Sequence, residues 1–131
     1  MDIEAALRAH LLTKTALTAL ISTRIYPDDI SDGAALPCVV YLKVSDIPDY
    51  THDGISSLRG PTIQFSAYAT TKAAARSISK QIKAALCDFA GTLSGVNIQY
   101  IKLINELSSL ETLTIGKAYV EDLEFEVYYD E

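Results

Sequence analysis

Apolar and polar residues alternate along the chain with two periods, one typical of helices and one of strands. Near the amino terminus four apolar residues and a histidine recur every three or four positions, as on one face of a helix: Ile3, Ala6, Leu7, His10 and Leu11. Asp2 precedes this face as a helix cap. Thr13 and Lys14 interrupt the pattern, residues 16–21 resume it, and Pro27 ends it. The sequence therefore opens with two short helices.

Four later segments are typical of strands: residues 38–44, 62–69, 96–104 and 119–129. The alternation in the third changes phase near Tyr100, as a β-bulge would cause. Between the second and third segments lies the strongest helical pattern, which begins after Thr70 or Thr71 and ends before Gly91. Its apolar stripe is predicted to pack into the core: Ala75, Ile78, Ile82, Ala85, Leu86 and Phe89.

These elements predict an α+β fold, a four-stranded and mainly antiparallel sheet with helices packed on one face, in a single domain over residues 1–131. The helices should cover the apolar side of the strands, which carries Ile63, Phe65, Ala67, Leu123, Phe125 and Val127. The opposite side should carry Gln64, Ser66, Tyr68, Asp122, Glu124 and Glu126. We interpret this polar side as either a channel lining or an outer solvent surface.

Residues 45–60 form a polar segment that we interpret as either a long loop or a flexible hairpin. It is too long for a simple connection, and we expect it to make contacts in an assembly. The candidate contact residues in it are Asp46, Asp49, Tyr50, His52 and Asp53. Adjacent His52 and Asp53 suggest a general base, yet no nucleophile motif accompanies them. The three aspartates lack the ligand spacing of a calcium loop, which favours a solvated acidic segment.

Composition restricts the possible partners and chemistry. The 131 residues carry a formal net charge of −6, which argues against a protein whose task is to grip nucleic acid. No apolar run approaches the roughly 20 residues that span a bilayer, so no membrane partner is expected. Cys38 and Cys87 lack the spacing of a metal site, and we interpret both as small buried residues. A disulfide between them is the alternative interpretation. No catalytic, metal-binding or cofactor motif occurs, so we expect no enzyme activity and no cofactor.

The long helix carries a basic stripe opposite its apolar one, formed by Lys72, Arg76, Lys80 and Lys83. Such a stripe is either a solvated surface or a docking surface for an acidic partner.

The order of segments resembles the tail-completion, or tail-terminator, family of long-tailed, siphovirus-like bacteriophages and prophages. The segments that carry the resemblance are Arg24-Ile25-Tyr26-Pro27, the loop Asp49-Tyr50-Thr51-His52-Asp53-Gly54, the strand and helix that follow it, and the closing strand Leu123-Glu124-Phe125-Glu126-Val127-Tyr128-Tyr129. The resemblance covers nearly the whole chain and contains no catalytic signature.

This resemblance implies a non-enzymatic virion protein that forms a ring, expected to be a hexamer, on the head-proximal end of the tail tube. The ring would stop tube polymerisation and offer the surface that joins the head. Its partners would be further copies of itself, the tail tube protein and the head connector or stopper protein, with DNA only in passage. The alternatives are a head-side neck protein, a small ligand-binding α+β module, or an enzyme with an unfamiliar site.

Overall fold

The computed structural model describes residues 3–27, 36–45, 50–51, 54–55, 58–113 and 116–130. These residues form three helices, α1 (Ile3–Leu12), α2 (Thr15–Ile21) and α3 (Lys72–Leu86). The strands are β1 (Ile25–Pro27), β2 (Cys38–Ser45), β3 (Tyr50–Thr51), β4 (Gly54–Ile55), β5 (Leu58–Arg59), β6 (Thr62–Ala69), β7 (Gly91–Leu93), β8 (Val96–Leu113) and β9 (Gly116–Asp130).

The helices form where the apolar periodicity predicted them. α1 buries the apolar members of its predicted stripe, Ile3, Ala6, Leu7 and Leu11, whereas His10 of that stripe is half-buried. The hydroxyl oxygen of Thr71 accepts a hydrogen bond from the backbone N–H of Ala74 at 3.2 Å and so caps α3. The helix ends at Leu86, short of the predicted stop at Gly91, and Phe89 of the predicted stripe packs against the core from outside the helix.

The main sheet has six strands in the order β1-β2-β6-β9-β8-β7, and β5 pairs with the end of β9 as a seventh. The prediction of α+β architecture is confirmed, but the prediction of four strands is wrong. β1, β5 and β7 contain two or three residues each and are too short for a periodic pattern to reveal them. Two arginines hold the chain around β1. Arg8 Nε donates a hydrogen bond to the backbone carbonyl oxygen of Ile25 at 3.1 Å, and Arg24 Nε donates one to the backbone carbonyl oxygen of Pro37 at 2.8 Å.

β8 and β9 form a long hairpin that extends well beyond the segments 96–104 and 119–129 predicted from the alternation. Its register shifts between Ile98 and Tyr100, which confirms the predicted bulge, and again between Leu103 and Asn105. The second bulge interrupts the two-residue period, so the pattern of apolar residues beyond it does not predict a strand.

One buried cluster unites all three helices with a single face of the sheet. The sheet residues in that cluster include Phe65, whose ring meets the edge of Phe125 with ring centroids 6.0 Å apart. Facing residues of antiparallel strands share a side of the sheet, so the register assigns Tyr41, Phe65 and Leu123 to the helix-covered face. The prediction that helices pack on one face is confirmed, and the opposite face carries half-buried polar side chains beside the buried Val40, Ser66 and Val120.

Candidate assembly surfaces

The described residues offer little for catalysis. No group of three or more potential metal-binding side chains occurs among them. Both cysteines are free thiols, so no disulfide joins them. Burial raises the pKa of the Cys38 thiol to about 11, and burial followed by the Asp88 carboxylate raises that of Cys87. Protonated thiols are poor nucleophiles, which supports the structural role expected of both cysteines.

His10 has a structural position. Its Nε2 donates to the carbonyl oxygen of Ala85 at 3.2 Å, and its ring lies 4.7 Å from that of Phe89, measured between centroids. Partial burial lowers the pKa of His10, because a charged imidazole loses solvation there. The side chain therefore joins α1 to the end of α3 as a neutral group.

The predicted contact segment, residues 45–60, contains a short antiparallel pair of strands, in agreement with the hairpin interpretation. Tyr50 lies in β3, which pairs with β4 over two residues, and β5 follows. Of the other candidate contact residues, Asp46, Asp49, His52 and Asp53 lie outside the described residues.

The basic stripe of α3 is exposed over most of its length. Lys72, Arg76 and Lys80 are exposed, and no ion pair is formed by them within the described part of the chain. Lys83 differs, because its Nζ lies 2.7 Å from Oε1 of Glu106 on β8. That contact ties the helix to the long hairpin, so three of the four predicted cations remain available to a partner.

The face of the sheet opposite the helices carries the predicted polar residues. Facing pairs are Thr62 with Glu126, Gln64 with Glu124, Ser66 with Asp122, and Tyr68 with Val120. We call this the open face. It also carries Leu42, which faces Gln64 from β2, and Lys102, which faces Glu126 from β8. The open face is therefore acidic at its centre and contains one cation.

Asp122 has a local role within the open face. The Ser66 hydroxyl donates to Oδ1 of Asp122 at 2.5 Å, and Nε2 of Gln64 donates to the same oxygen at 3.4 Å and to Ser66 Oγ at 3.1 Å. Ser66 is buried, so the carboxylate supplies the partner that its hydroxyl needs. Glu124 and Glu126 are left as the principal acidic groups that a partner can meet.

Two strand edges form surfaces that the sequence pattern did not reveal. β7 pairs only with Val96–Ile98, so the outer edge of β8 from Gln99 to Leu113 has no strand beside it among the described residues; this is the β8 rim. Among the described residues β1 pairs only with Val39–Tyr41, and we call the remainder of β2, from Leu42 to Ser45, the β2 rim. Each rim displays large apolar side chains, namely Leu42 and Val44 on β2 and Tyr100, Ile104, Leu107 and Leu110 on β8.

Exposed apolar side chains beside unpaired strand edges are typical of protein-binding surfaces. No helix in the described part of the chain is long and apolar enough to cross a membrane. The fold and its surfaces thus define a class of protein that assembles with other proteins.

The particular family follows from comparison with known proteins. The chain belongs to the family described as tail completion protein gp17, whose model matches residues 5–130. It is a structural protein of the virion, in the tail-neck region of a phage or phage-like particle. The search of curated proteins found no match.

A solved structure shares the fold. One chain of the structure titled "Virion of native gene transfer agent (GTA) particle" is similar with a TM-score of 0.74 and 17% sequence identity. The match covers 98% of this chain and 95% of that one. The likeness therefore extends over the whole fold, including the long hairpin.

Proposed function

We propose that this chain forms a ring, expected to be a hexamer, on the head-proximal end of the tail tube, where it stops tube polymerisation and joins the tail to the head. The observation that carries this proposal is the match of the tail completion family over residues 5–130. Its partners would be copies of itself, the tail tube protein and the head connector or stopper protein.

The clefts of the described residues favour an assembly protein over a ligand-binding module. Three of them have volumes of 170, 200 and 340 Å³. The largest lies beside the second bulge and is lined by residues 103–106, of which only Leu103 is not exposed. Ligand pockets usually enclose about 300–1,000 Å³ and bury most of the ligand, which a cleft with such exposed walls does not do.

We further propose that the open face lines the central channel of the ring. The helices cover the other face, so a subunit that presents its sheet to the axis turns Glu124 and Glu126 inward. Carboxylates repel phosphates, and a wall of this charge lets DNA pass without binding it. Lys102 beside Glu126 moderates this charge without reversing it.

The cationic residues of α3 would then lie on the outside of the ring. Lys72, Arg76 and Lys80 are exposed there and would meet acidic groups of a neighbouring protein. Charges of this kind act mainly on the rate of encounter. Ring formation or docking on the tail should therefore slow as salt concentration rises.

The test is complementation of a phage that lacks this protein, with tail length measured by electron microscopy. Overlong tubes without the protein and normal tubes with it would support the proposal. Tubes of normal length in its absence would contradict the terminating role. Normal tubes that fail only to attach to heads would favour the head-side neck protein instead.

The channel assignment has its own test, the double substitution Glu124→Lys and Glu126→Lys. Rings should still form, and DNA ejection should slow because two carboxylates are replaced by two cations and the net charge of each subunit rises by four units. The control is Ser77→Lys with Ala84→Lys, which places cations on exposed positions of α3 instead. Normal ejection by the open-face variant, or Glu124 pointing away from the axis in a ring structure, would contradict the assignment.

A further inference from the structure

The outer half of β8 is exposed to solvent although it is paired with β9. β7 ends the sheet beside Val96–Ile98, and β8 continues past it in the long hairpin. Every residue from 104 to 112 is exposed, and we call this stretch the outer β8 segment. It contains Ile104, Leu107 and Leu110, and the two leucines are each 52% exposed. Apolar side chains of this size on an open strand are typical of a surface that a partner covers.

Backbone hydrogen bonds show which groups of this segment point away from β9. The N–H of Asp88 donates to the carbonyl oxygen of Ile101 at 3.0 Å, so Ile101 directs its backbone groups to the outer edge. The second bulge inserts one residue, so the outward positions change from odd to even numbers beyond it. In agreement, the N–H of Glu106 donates to Oδ1 of Asn105 on its own strand at 3.0 Å. The same alternation directs the N–H and C=O groups of three further residues outward: Ser108, Leu110 and Thr112.

This edge lacks the features by which natural sheets prevent strand addition. Residues 107–113 contain no proline, glycine, lysine or arginine. β1, at the other end of the sheet, is protected in both ways that this segment is not. Pro27 has no N–H to donate, and the carbonyl oxygen of Ile25 already accepts a hydrogen bond from Arg8. The outer β8 segment is therefore suited to accept an extended chain as an additional strand.

A row of cations on α3 lies beside the same segment. Lys72 lines one cleft together with residues 108–110, and Lys83 is paired with Glu106. Arg76 lies four residues after Lys72 and seven before Lys83, so the three cations share one face of the helix. Lys72 and Arg76 are exposed and form no ion pair within the described ranges. A chain added to the outer edge would therefore meet positive charge on its helix-covered side.

We propose that the outer β8 segment accepts an extended, acidic segment of a neighbouring virion protein as an additional strand. The added strand places carboxylates toward Lys72 and Arg76 on the helix-covered side. It places an apolar side chain beside Leu107, which lies on the open face because it faces Asp122. The inference rests on the proposed function, since it takes the partner to be another protein of the tail-neck region. It goes further by naming the surface, the form of the partner segment and its charge.

Charge and strand length favour a different protein over a second copy of this chain. Pairing of two outer β8 segments about a twofold axis puts both helix-covered faces on one side of the joined sheet. The two cationic rows would then lie close together and repel each other. β1 and β7, the strands at which the sheet ends, contain three residues each and no carboxylate. Neither supplies the length or the charge that this surface requires.

Amide hydrogen exchange, measured residue by residue, distinguishes strand addition from other kinds of contact. In the free protein the outward N–H groups of Ser108, Leu110 and Thr112 should exchange rapidly, and those of Leu107 and Ser109, which point toward β9, should exchange slowly. The probe is a short peptide with blocked ends that alternates glutamate and valine. It should slow exchange of the outward groups at least about tenfold and leave the inward groups unchanged.

Charge controls accompany this measurement. A peptide with lysine in place of glutamate should give no protection. Arg76→Glu should weaken binding of the glutamate peptide and strengthen binding of the lysine peptide, whereas Lys14→Glu, at an exposed position before α2, should change neither. Equal protection by both peptides would overturn the proposal. Slow exchange of the outward groups in the free protein, or equal protection of inward and outward groups, would overturn it as well.

Assembled tails identify the partner. A photo-cross-linking amino acid, p-benzoylphenylalanine, in place of Ser109 should link to an acidic, extended segment of another virion protein. The same amino acid in place of Leu20 on α2 should not link to that segment. A cross-link from position 109 mainly to a second copy of this chain, or to a basic segment, would overturn the choice of partner.

Complementation separates this inference from the proposed function. The double variant Leu107→Lys with Leu110→Lys, verified as folded by circular dichroism, should fail to complete tails or to join them to heads. Leu20→Lys, on an exposed position of α2, is the matched control and should complement fully. Full complementation by the folded double variant would overturn the inference and leave the proposed function intact. Tails of normal length without the protein would contradict the proposed function, whatever the peptide binds.

Discussion

Replacing Gly60 by alanine should destabilise the protein, and a second substitution at Tyr128 should abolish or reverse that effect. A Cβ placed on Gly60 would lie 2.8 Å from Cε1 and 3.0 Å from Cδ1 of Tyr128. Ordinary contact between such atoms begins at about 3.4 Å, so the half-buried Tyr128 ring would have to withdraw by roughly 0.6 Å. The backbone of Gly60 is not in the positive-φ region, so the Tyr128 ring is the obstacle that an alanine side chain would meet there.

We expect Gly60→Ala to lower the free energy of unfolding by about 1–2 kcal/mol, the usual cost of mild overpacking. In a domain of this size that corresponds to a melting temperature lower by roughly 3–10 °C. In a Tyr128→Ala background the clash is gone. The same substitution should then be neutral or stabilise by about 0.5 kcal/mol, because alanine has less conformational freedom than glycine in the unfolded chain.

Urea unfolding of the wild type, both single variants and the double variant completes the cycle and gives the coupling energy directly. Gly95→Ala is the control, because Gly95 has a φ of +83° and its Cβ would meet nothing within 4 Å. Its cost comes from backbone strain and should be the same with or without Tyr128. Equal destabilisation by Gly60→Ala in both backgrounds would refute the steric explanation.

Three further predictions concern groups near the helices. Burial lowers the pKa of His10 below its ordinary value of 6.5, so the stabilising effect of this side chain is present above pH 6.5 and is lost as pH falls. The urea midpoint should therefore fall less between pH 7.5 and 5 in His10→Gln than in the wild type. An equal fall in the midpoint of both proteins would refute this. At pH 8 iodoacetamide should modify Cys87 before Cys38, which is fully buried, and equal rates under native conditions would contradict its burial. Glu106→Gln should cost about 0.5 kcal/mol at low salt and nothing measurable at 1 M salt, because its ion pair with Lys83 is solvent-exposed; an equal cost at both salt concentrations would show that the effect is not ionic.

The local elements of this protein could be predicted from its sequence. The two-residue alternation of Thr62–Ala69 matches β6 at both ends, and the stripe from Ala75 to Leu86 identifies α3 and its buried side. Periodicity succeeds here because each element buries one face, so the pattern of apolar positions is a direct record of burial. The same alternation separated the helix-covered face from the open face before their register was known.

The lengths and neighbours of the strands required the tertiary structure. β1 and β7 are three-residue strands that exist only because β2 and β8 supply partners for their backbone groups, and no pattern of that length carries information. The outer part of the β8–β9 hairpin lies beyond the second bulge, where most side chains of β8 are exposed and burial no longer imposes a period.

The candidate assembly surfaces also divide into one that the sequence predicts and two that only the folded sheet reveals. Alternation assigns Gln64, Glu124 and Glu126 to one face, and the net negative charge argues against a protein that grips nucleic acid. The β2 and β8 rims could not be found like this, because a rim is defined by the absence of a neighbouring strand, and strand order is a property of the folded sheet. A leucine such as Leu107 reads in the sequence as one more core residue, and only the completed sheet shows that it faces solvent.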